Sequence, residues 1–181
     1  MGGNKAVFLD RDGTINIDKN YLYKQEDFEY IDGAVEGLRL LYDMGYLLVI
    51  ITNQSGIARG YYSEEDYFKL DSWLKNDLLD KGVKIAGSYY CPHLPEGKVK
   101  AYAKDCDCRK PKTTLFWQAT RELEIDMDKS FAIGDKTRDL SICNESGVKG
   151  ILLGDETVND SNYHVCINWK EITEFIKNES I

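Results

Sequence analysis

Asp10 and Asp12 follow the apolar run of residues 6–9, and Asp135 follows another, residues 130–133, through Gly134. Between them in the chain, the run of residues 46–51 ends on Thr52 and Asn53. Arg59, Arg109, Lys110 and Lys136 stand close to these positions in sequence. An isolated Asp-x-Asp is commonly only a turn or a helix cap. Three carboxylates and a hydroxyl at the ends of neighbouring strands are a site. Hard carboxylate oxygens favour Mg²⁺, which keeps waters and a substrate phosphate in its shell. The basic residues would meet the charge that develops on a transferring phosphoryl group. No Gly-rich phosphate loop ending in Lys-Ser/Thr is present, so ATP is not the obvious ligand.

A second constellation is rich in sulfur. Cys91-x-His93 is followed after twelve residues by Cys106-x-Cys108, four ligands in two clips and a normal closed tetrahedral zinc set. A closed shell leaves no position for water, so the zinc it predicts is structural. It would pin the loop of residues 92–105 and so deliver Arg109 and Lys110. Cys143 and Cys166 lie on apolar stretches and read as small buried hydrophobes. His164 has no partner visible in sequence.

These residues need strands and helices to bring them together. Unbroken apolar runs that stop at polar residues or glycine suit strands buried on both faces. Residues 6–9, 46–51, 130–133 and 150–153 fit, the last stopping at Gly154-Asp155. Helical spacing fills residues 33–44, a helix after Ser63, one capped by Thr113 or Thr114, and residues 137–145. Strands alternating with helices predict an α/β fold with a doubly wound, mostly parallel sheet. Ligands bind beyond the carboxyl ends of such strands. No repeat or linker interrupts the 181 residues, which predicts one domain over residues 1–181.

Composition narrows the partners. The net charge is −8, with 43% hydrophobic and 30% charged residues. A chain this acidic repels nucleic acid and anionic lipid. No apolar run approaches membrane-spanning length, and the N-terminal stretch lacks a signal-peptide core. The expectation is a cytoplasmic monomer with reduced cysteines, acting on a small molecule.

Phe8-Leu9-Asp10-Arg11-Asp12-Gly13-Thr14 resembles the first motif of the haloacid dehalogenase superfamily of phosphatases. Thr52-Asn53 resembles its second motif, Lys110 its third, and Gly134-Asp135-Lys136-Thr137-Arg138-Asp139 its fourth. The longer strings Thr52-Asn53-Gln54-Ser55-Gly56-Ile57-Ala58-Arg59-Gly60 and Cys106-Asp107-Cys108-Arg109-Lys110-Pro111 resemble one branch. That branch holds the D-glycero-D-manno-heptose 1,7-bisphosphate phosphatases and the histidinol-phosphate phosphatase domain. The similarity runs from about Ala6 to Leu153.

The resemblance implies that Asp10 is a nucleophile that forms an aspartyl phosphate. Asp12 would be the general acid and base. Asp10, Asp135 and the backbone carbonyl of Asp12 would hold Mg²⁺, and Thr52 and Lys110 would bind phosphoryl oxygens. Asp139 would support other residues or start the following helix rather than ligate. Asn53, Gln54, Ser55 and Arg59, with Arg109 and Lys136, would contact the sugar or a second phosphate. Asp18 and Tyr21 would belong to the sugar pocket. No insertion is long enough for a large cap domain. Lys112-Thr113-Thr114 replaces the family's usual Pro-Gly turn, and Lys112 reads as an added cation near the pocket.

The expected activity is Mg²⁺-dependent hydrolysis of the C7 phosphate of a heptose 1,7-bisphosphate, supplying nucleotide-activated heptose for bacterial surface glycans. Histidinol-phosphate phosphatase is the enzymatic alternative, but its cationic substrate end would prefer carboxylates where Arg59 and Arg109 stand. A phospho-receiver signalling domain is the alternative of another class, and it needs neither Asp12 nor the cysteine clips.

Overall fold

The computed structural model describes residues 3–154 and 162–180, so the expected strand-end residue Asp155 lies outside the described residues. Six strands, β1 Ala6–Leu9, β2 Leu47–Asn53, β3 Ile85–Cys91, β4 Phe131–Gly134, β5 Lys149–Leu153 and β6 Tyr163–Cys166, form one sheet. Their order is β3-β2-β1-β4-β5-β6, and every pairing is parallel. The central strands alternate between two cores. Val7 and Leu9 of β1 face one side and Ala6 and Phe8 the other; in β2, Leu48 and Ile50 oppose Val49 and Ile51. Burial on both faces explains why these strands read as unbroken apolar runs. β3 and β6, which no such run marks, are the two edge strands, where small and polar residues are tolerated.

Helices cover both faces. Helix α1 (Ala34–Asp43) follows β1, α2 (Gly56–Arg59) is a single turn after β2, and α3 (Glu64–Asp80) precedes β3. Helix α4 (Thr114–Glu122) precedes β4, and α5 (Trp169–Glu179) ends the described chain. Leu38 and Leu41 of α1, Leu74 and Leu78 of α3, and Ile172 and Ile176 of α5 fill the first core. Phe116 and Ala119 of α4 fill the second, with Leu140 and Ile142. Ser63 and Asp66 form a reciprocal capping box that opens α3. Thr113 flanks α4 as expected, but its hydroxyl donates to Glu145 rather than capping the helix. The segment expected as a helix over residues 137–145 is a 3₁₀ helix, Thr137–Asn144. Its first turn is tight because the Asp139 amide donates to the Lys136 carbonyl while the Asp139 carboxylate accepts from the Lys136 amide.

The chain runs outward from β1 through β2 to β3, then returns to place β4 on the other side of β1. That reversal opens a crevice at the carboxyl end of β1, the ligand position in open α/β sheets. Among the described residues no helix is long and apolar enough to cross a membrane.

The buried Trp169 ties the last helix to this crevice, since its indole N–H donates to the Thr14 carbonyl at 2.9 Å in the loop after β1. Trp169→Ala is expected to cost about 3–5 kcal/mol, read as a lower urea midpoint at unchanged slope. A loss below about 1 kcal/mol, the size of an ordinary surface effect, would contradict this packing role.

Candidate active site

Asp10 continues β1, its amide donating to the Ile133 carbonyl of β4 at 3.0 Å. Its carboxylate meets Lys110, which is 2% exposed and arrives from the loop before α4. The Lys110 ammonium donates at 2.7 Å to Asp10 Oδ1 and to the Ile51 carbonyl, and lies 2.7 Å from Asp139 Oδ1. An ammonium has three donors, so protein oxygens occupy all of them. Carboxylate oxygens of Asp10, Asp135 and Asp139 lie within 4.8 Å of one another. Asp139 takes Lys110 on one oxygen and the Lys136 amide on the other. Asp10 and Asp135 are thus the pair free to ligate. Gly13 permits the crowding: its φ is +89°, and a Cβ there would stand 2.4 Å from Asp135 Oδ2.

The electrostatics of this cluster fit a divalent cation. Three carboxyl groups face the buried Lys110 ammonium, and the exposed Lys136 ammonium lies 3.3 Å from Asp135, so acidic groups outnumber ammonium groups in a poorly solvated place. Burial lifts the Asp10 carboxyl to about 7 against an ordinary 3.8, with Lys110 pulling it down and Asp139 pushing it up. Burial also raises Asp135, helped by Asp139. Burial alone would lower Lys110, but Asp10 and Asp139 reverse that and keep it charged. Hard oxygens with unbalanced negative charge are the donor set of Mg²⁺.

Asp12 lies on the other wall in a cage of donors. The Arg11 guanidinium reaches both of its oxygens, the closest contact at 3.0 Å, and also the Leu22 carbonyl. Asn16 donates to Asp12 Oδ1 at 3.0 Å and Gln54 to Oδ2 at 3.2 Å. Sequence reasoning missed Arg11 and Asn16. The one signal for Arg11 is its place between Asp10 and Asp12.

The cleft of about 270 Å³ above these groups is bordered by Asp10, Asp12, Asp18, Tyr21, Asn53, Gln54, Ser55, Arg59, Arg109, Lys110, Asp135 and Lys136. Arg138, which sequence reasoning did not single out, joins them. Thr52 is buried beneath, bonded to the Gln54 amide at 2.8 Å. Two residues expected to touch the sugar have side chains engaged by the protein. Asn53 gives its amide N–H to the Lys110 carbonyl and accepts from the Lys110 amide, and Gln54 is 2% exposed. Lys112 departs from its expected place. It does not border the cleft and instead bonds Asp105 and the Cys106 carbonyl in the cysteine loop.

Cys91, His93, Cys106 and Cys108 converge as the second cluster. Their sulfurs are 3.1–3.5 Å apart, and His93 Nδ1 lies 3.3 Å from Cys108 and 3.8 Å from Cys91. A tetrahedron on a Zn–S bond of about 2.3 Å has edges of about 3.8 Å, close enough to these separations that the four atoms could hold a zinc ion. Cys91 ends β3, and its carbonyl accepts from the Gln54 amide at 2.7 Å. Cys166 is buried, Cys143 is half-buried, and exposed His164 stacks on Phe175.

A carboxylate cluster at the switch point of a parallel sheet, with a buried lysine and a second aspartate two residues on, defines a phosphohydrolase of the haloacid dehalogenase type. The family model described as polynucleotide kinase 3 phosphatase matches residues 5–168, and the chain belongs to that family. It is 51% identical to the D-glycero-β-D-manno-heptose-1,7-bisphosphate 7-phosphatase of Pasteurella multocida (strain Pm70), over 82% of this chain and 80% of that one. It is 49% identical to the D-glycero-α-D-manno-heptose-1,7-bisphosphate 7-phosphatase of Photorhabdus laumondii, over 80% and 79%. Among solved structures it resembles the D,D-heptose 1,7-bisphosphate phosphatase of B. bronchiseptica complexed with magnesium and phosphate. That match has a TM-score of 0.82 and 25% identity, and covers 97% of this chain and 99% of that one.

Between pH 5 and 7, folded Asp10 holds a proton that the unfolded chain has lost, so stability falls as pH rises through this window. In protein desalted free of Mg²⁺, urea midpoints are therefore expected to decline from pH 5 to 7 more steeply than in Asp10→Asn. Added Mg²⁺ should remove the difference. Identical slopes for the two proteins would refute the charge imbalance.

Proposed function

We propose that the protein is a phosphatase that removes the C7 phosphate of a heptose 1,7-bisphosphate through an aspartyl phosphate on Asp10. The observation that carries this is the charge of the cleft. In a chain of net charge −8, Arg59, Arg109, Lys136 and Arg138 border one cavity beside Asp10 and Lys110, which suits a substrate with two phosphates. Relatives at about half identity over four-fifths of the chain carry that activity in their names.

Mg²⁺, when bound by Asp10, Asp135 and the Asp12 carbonyl, supplies positive charge to the phosphoryl oxygens. Lys110 stays charged and keeps the Asp10 carboxylate in place against its like-charged neighbours. An Asp10 oxygen attacks phosphorus, and the bond from phosphorus to the sugar oxygen breaks. Asp12 gives its proton to that leaving oxygen, so the sugar departs as a neutral alcohol. In the second half Asp12 takes a proton from the incoming water, whose oxygen attacks the same phosphorus. The bond to Asp10 then breaks, and inorganic phosphate leaves. Thr52 steadies the transferring oxygens, and Arg59, Arg109, Lys136 and Arg138 hold the distal phosphate.

The four cysteine-loop residues hold a structural zinc in this reading. It fixes Cys108 and with it Arg109 and Lys110. The chain works as a single domain, a cytoplasmic monomer in the supply of nucleotide-activated heptose for lipopolysaccharide.

Phosphate release with Mg²⁺ is expected from a heptose 1,7-bisphosphate, with the two anomers assayed side by side, and not from histidinol phosphate. Asp10→Asn should abolish it, and Asp12→Asn should lower kcat by about 10²–10⁴-fold. Turnover confined to histidinol phosphate would move the substrate class. A stoichiometric phosphoprotein without turnover would make the chain a receiver. Metal analysis should find one zinc per chain, lost in Cys108→Ser together with most activity. Full activity in zinc-free protein would remove zinc from the account.

A further inference from the structure

Gln54 joins the two halves of the site, and one tyrosine fixes how it does so. Its amide nitrogen has two N–H donors. One goes to Thr52 Oγ1 at 2.8 Å and the other to Asp12 Oδ2 at 3.2 Å. Its amide oxygen accepts from the Tyr62 hydroxyl. Turning the amide over would set its oxygen against the Asp12 carboxylate and leave the Thr52 and Asp12 contacts without a shared donor. The acceptor-only Asp12 carboxylate therefore selects the orientation in which Gln54 donates to it, and the Tyr62 hydroxyl holds the amide there by donating to its oxygen.

The fold is built to admit that tyrosine. Tyr62 is 7% exposed and stacks on Tyr23, with ring centroids 5.3 Å apart. A Cβ at Gly56 would stand 2.2 Å from the Tyr62 ring, so only glycine at the start of α2 lets the ring pass beneath the strand end to Gln54. Gly60, at φ +78°, turns the chain back after that single helical turn and brings Tyr62 round. Arg11 and Asn16 hold Asp12 from its own loop. Gln54 supplies the hold from β2, the strand that also carries Thr52.

We propose that Gln54, held in place by Tyr62, is a positioning residue that sets the Asp12 carboxyl relative to the phosphate held at Thr52. Tyr62, at the wall of the cleft, thereby acts on the proton-transfer part of the reaction through Gln54. The proposal rests on the reading of Asp12 as the acid that protonates the leaving oxygen. A tyrosine hydroxyl bonded to Gln54 thus controls expulsion of a poor leaving group, while phosphate binding is left to other residues.

Single-turnover release of the leaving group reads the first half-reaction alone. It is measured for a heptose 1,7-bisphosphate, whose alkoxide needs a proton, and for p-nitrophenyl phosphate, whose phenolate does not. Tyr62→Phe keeps the ring and removes only the hydroxyl. It should slow sugar release about 10–100-fold, since small misplacement of a reacting group costs on that order. It should change nitrophenol release less than about twofold and leave KM for the bisphosphate nearly unchanged, with the thermal midpoint lowered by a few degrees at most for the buried hydrogen bond it removes. Adding Tyr62→Phe to Asp12→Asn should cost nothing more. Equal slowing of both substrates by Tyr62→Phe, or additive losses in the double variant, would overturn the proposal while Asp12 keeps its role. If Asp12→Asn itself slows both substrates equally, the acid role of Asp12 falls, and this proposal with it.

Discussion

Crowded carboxylates at the carboxyl end of β1 are the constraint on which the rest of the structure depends. Asp10, Asp135 and Asp139 approach within 4.8 Å, and Lys110 is buried among them. Removing charges from water is costly, and their mutual attraction in a low-dielectric place does no more than offset it. Such a cluster is a poor source of stability and a good source of fixed position. Lys110 is held on three oxygens at once, and Asp139 is held on two donors, so Asp10 has little freedom. A rigid cluster of hard carboxylate oxygens suits a divalent cation and a phosphate together.

Much of the surrounding architecture delivers that lysine. It comes from a loop, and a loop cannot place an ammonium accurately without ties. Asn53 supplies one tie at the end of β2, bonding the Lys110 backbone in both directions at 3.0 and 3.1 Å. The cysteine cluster supplies another, because Cys108 lies two residues before Lys110 and its partner Cys91 ends β3. Lys112 closes the same loop on itself through Asp105 and Cys106. The residue that looked like an extra substrate cation thus stiffens the support of a different one.

Much of the chemistry was legible in the residues because it sits where buried strands stop. The runs ending at Asp10, Thr52 and Asp135 are apolar on both faces, and such runs are the clearest strand signal a sequence carries. The cysteine clips were legible because soft ligands at short spacing have few other uses. The edge strands β3 and β6 were not, since an edge strand need not be apolar and their residues alternate irregularly. The 3₁₀ helix at Thr137–Asn144 read as an ordinary helix because apolar spacing does not separate the two over so short a span, and the Lys136–Asp139 bonds that tighten its first turn leave no mark in that spacing.

The sequence by itself therefore determined the type of sheet, the strand ends that bear the clustered carboxylates, and the two groups of residue types that could hold a metal ion. Periodicity and local spacing encode these, and they survive without any knowledge of neighbours. Only the tertiary structure decided which polar side chains face substrate and which hold the protein together. Asn53 and Gln54 stand next to each other after Thr52 and look alike in sequence. One clasps the Lys110 loop, and the other donates to Asp12 while its amide oxygen accepts from Tyr62. Arg11, between two aspartates that face the cleft, is itself buried against one of them. A hydrogen bond belongs to whichever donor the fold brings within about 3 Å, and that distance is set by packing rather than by sequence neighbours.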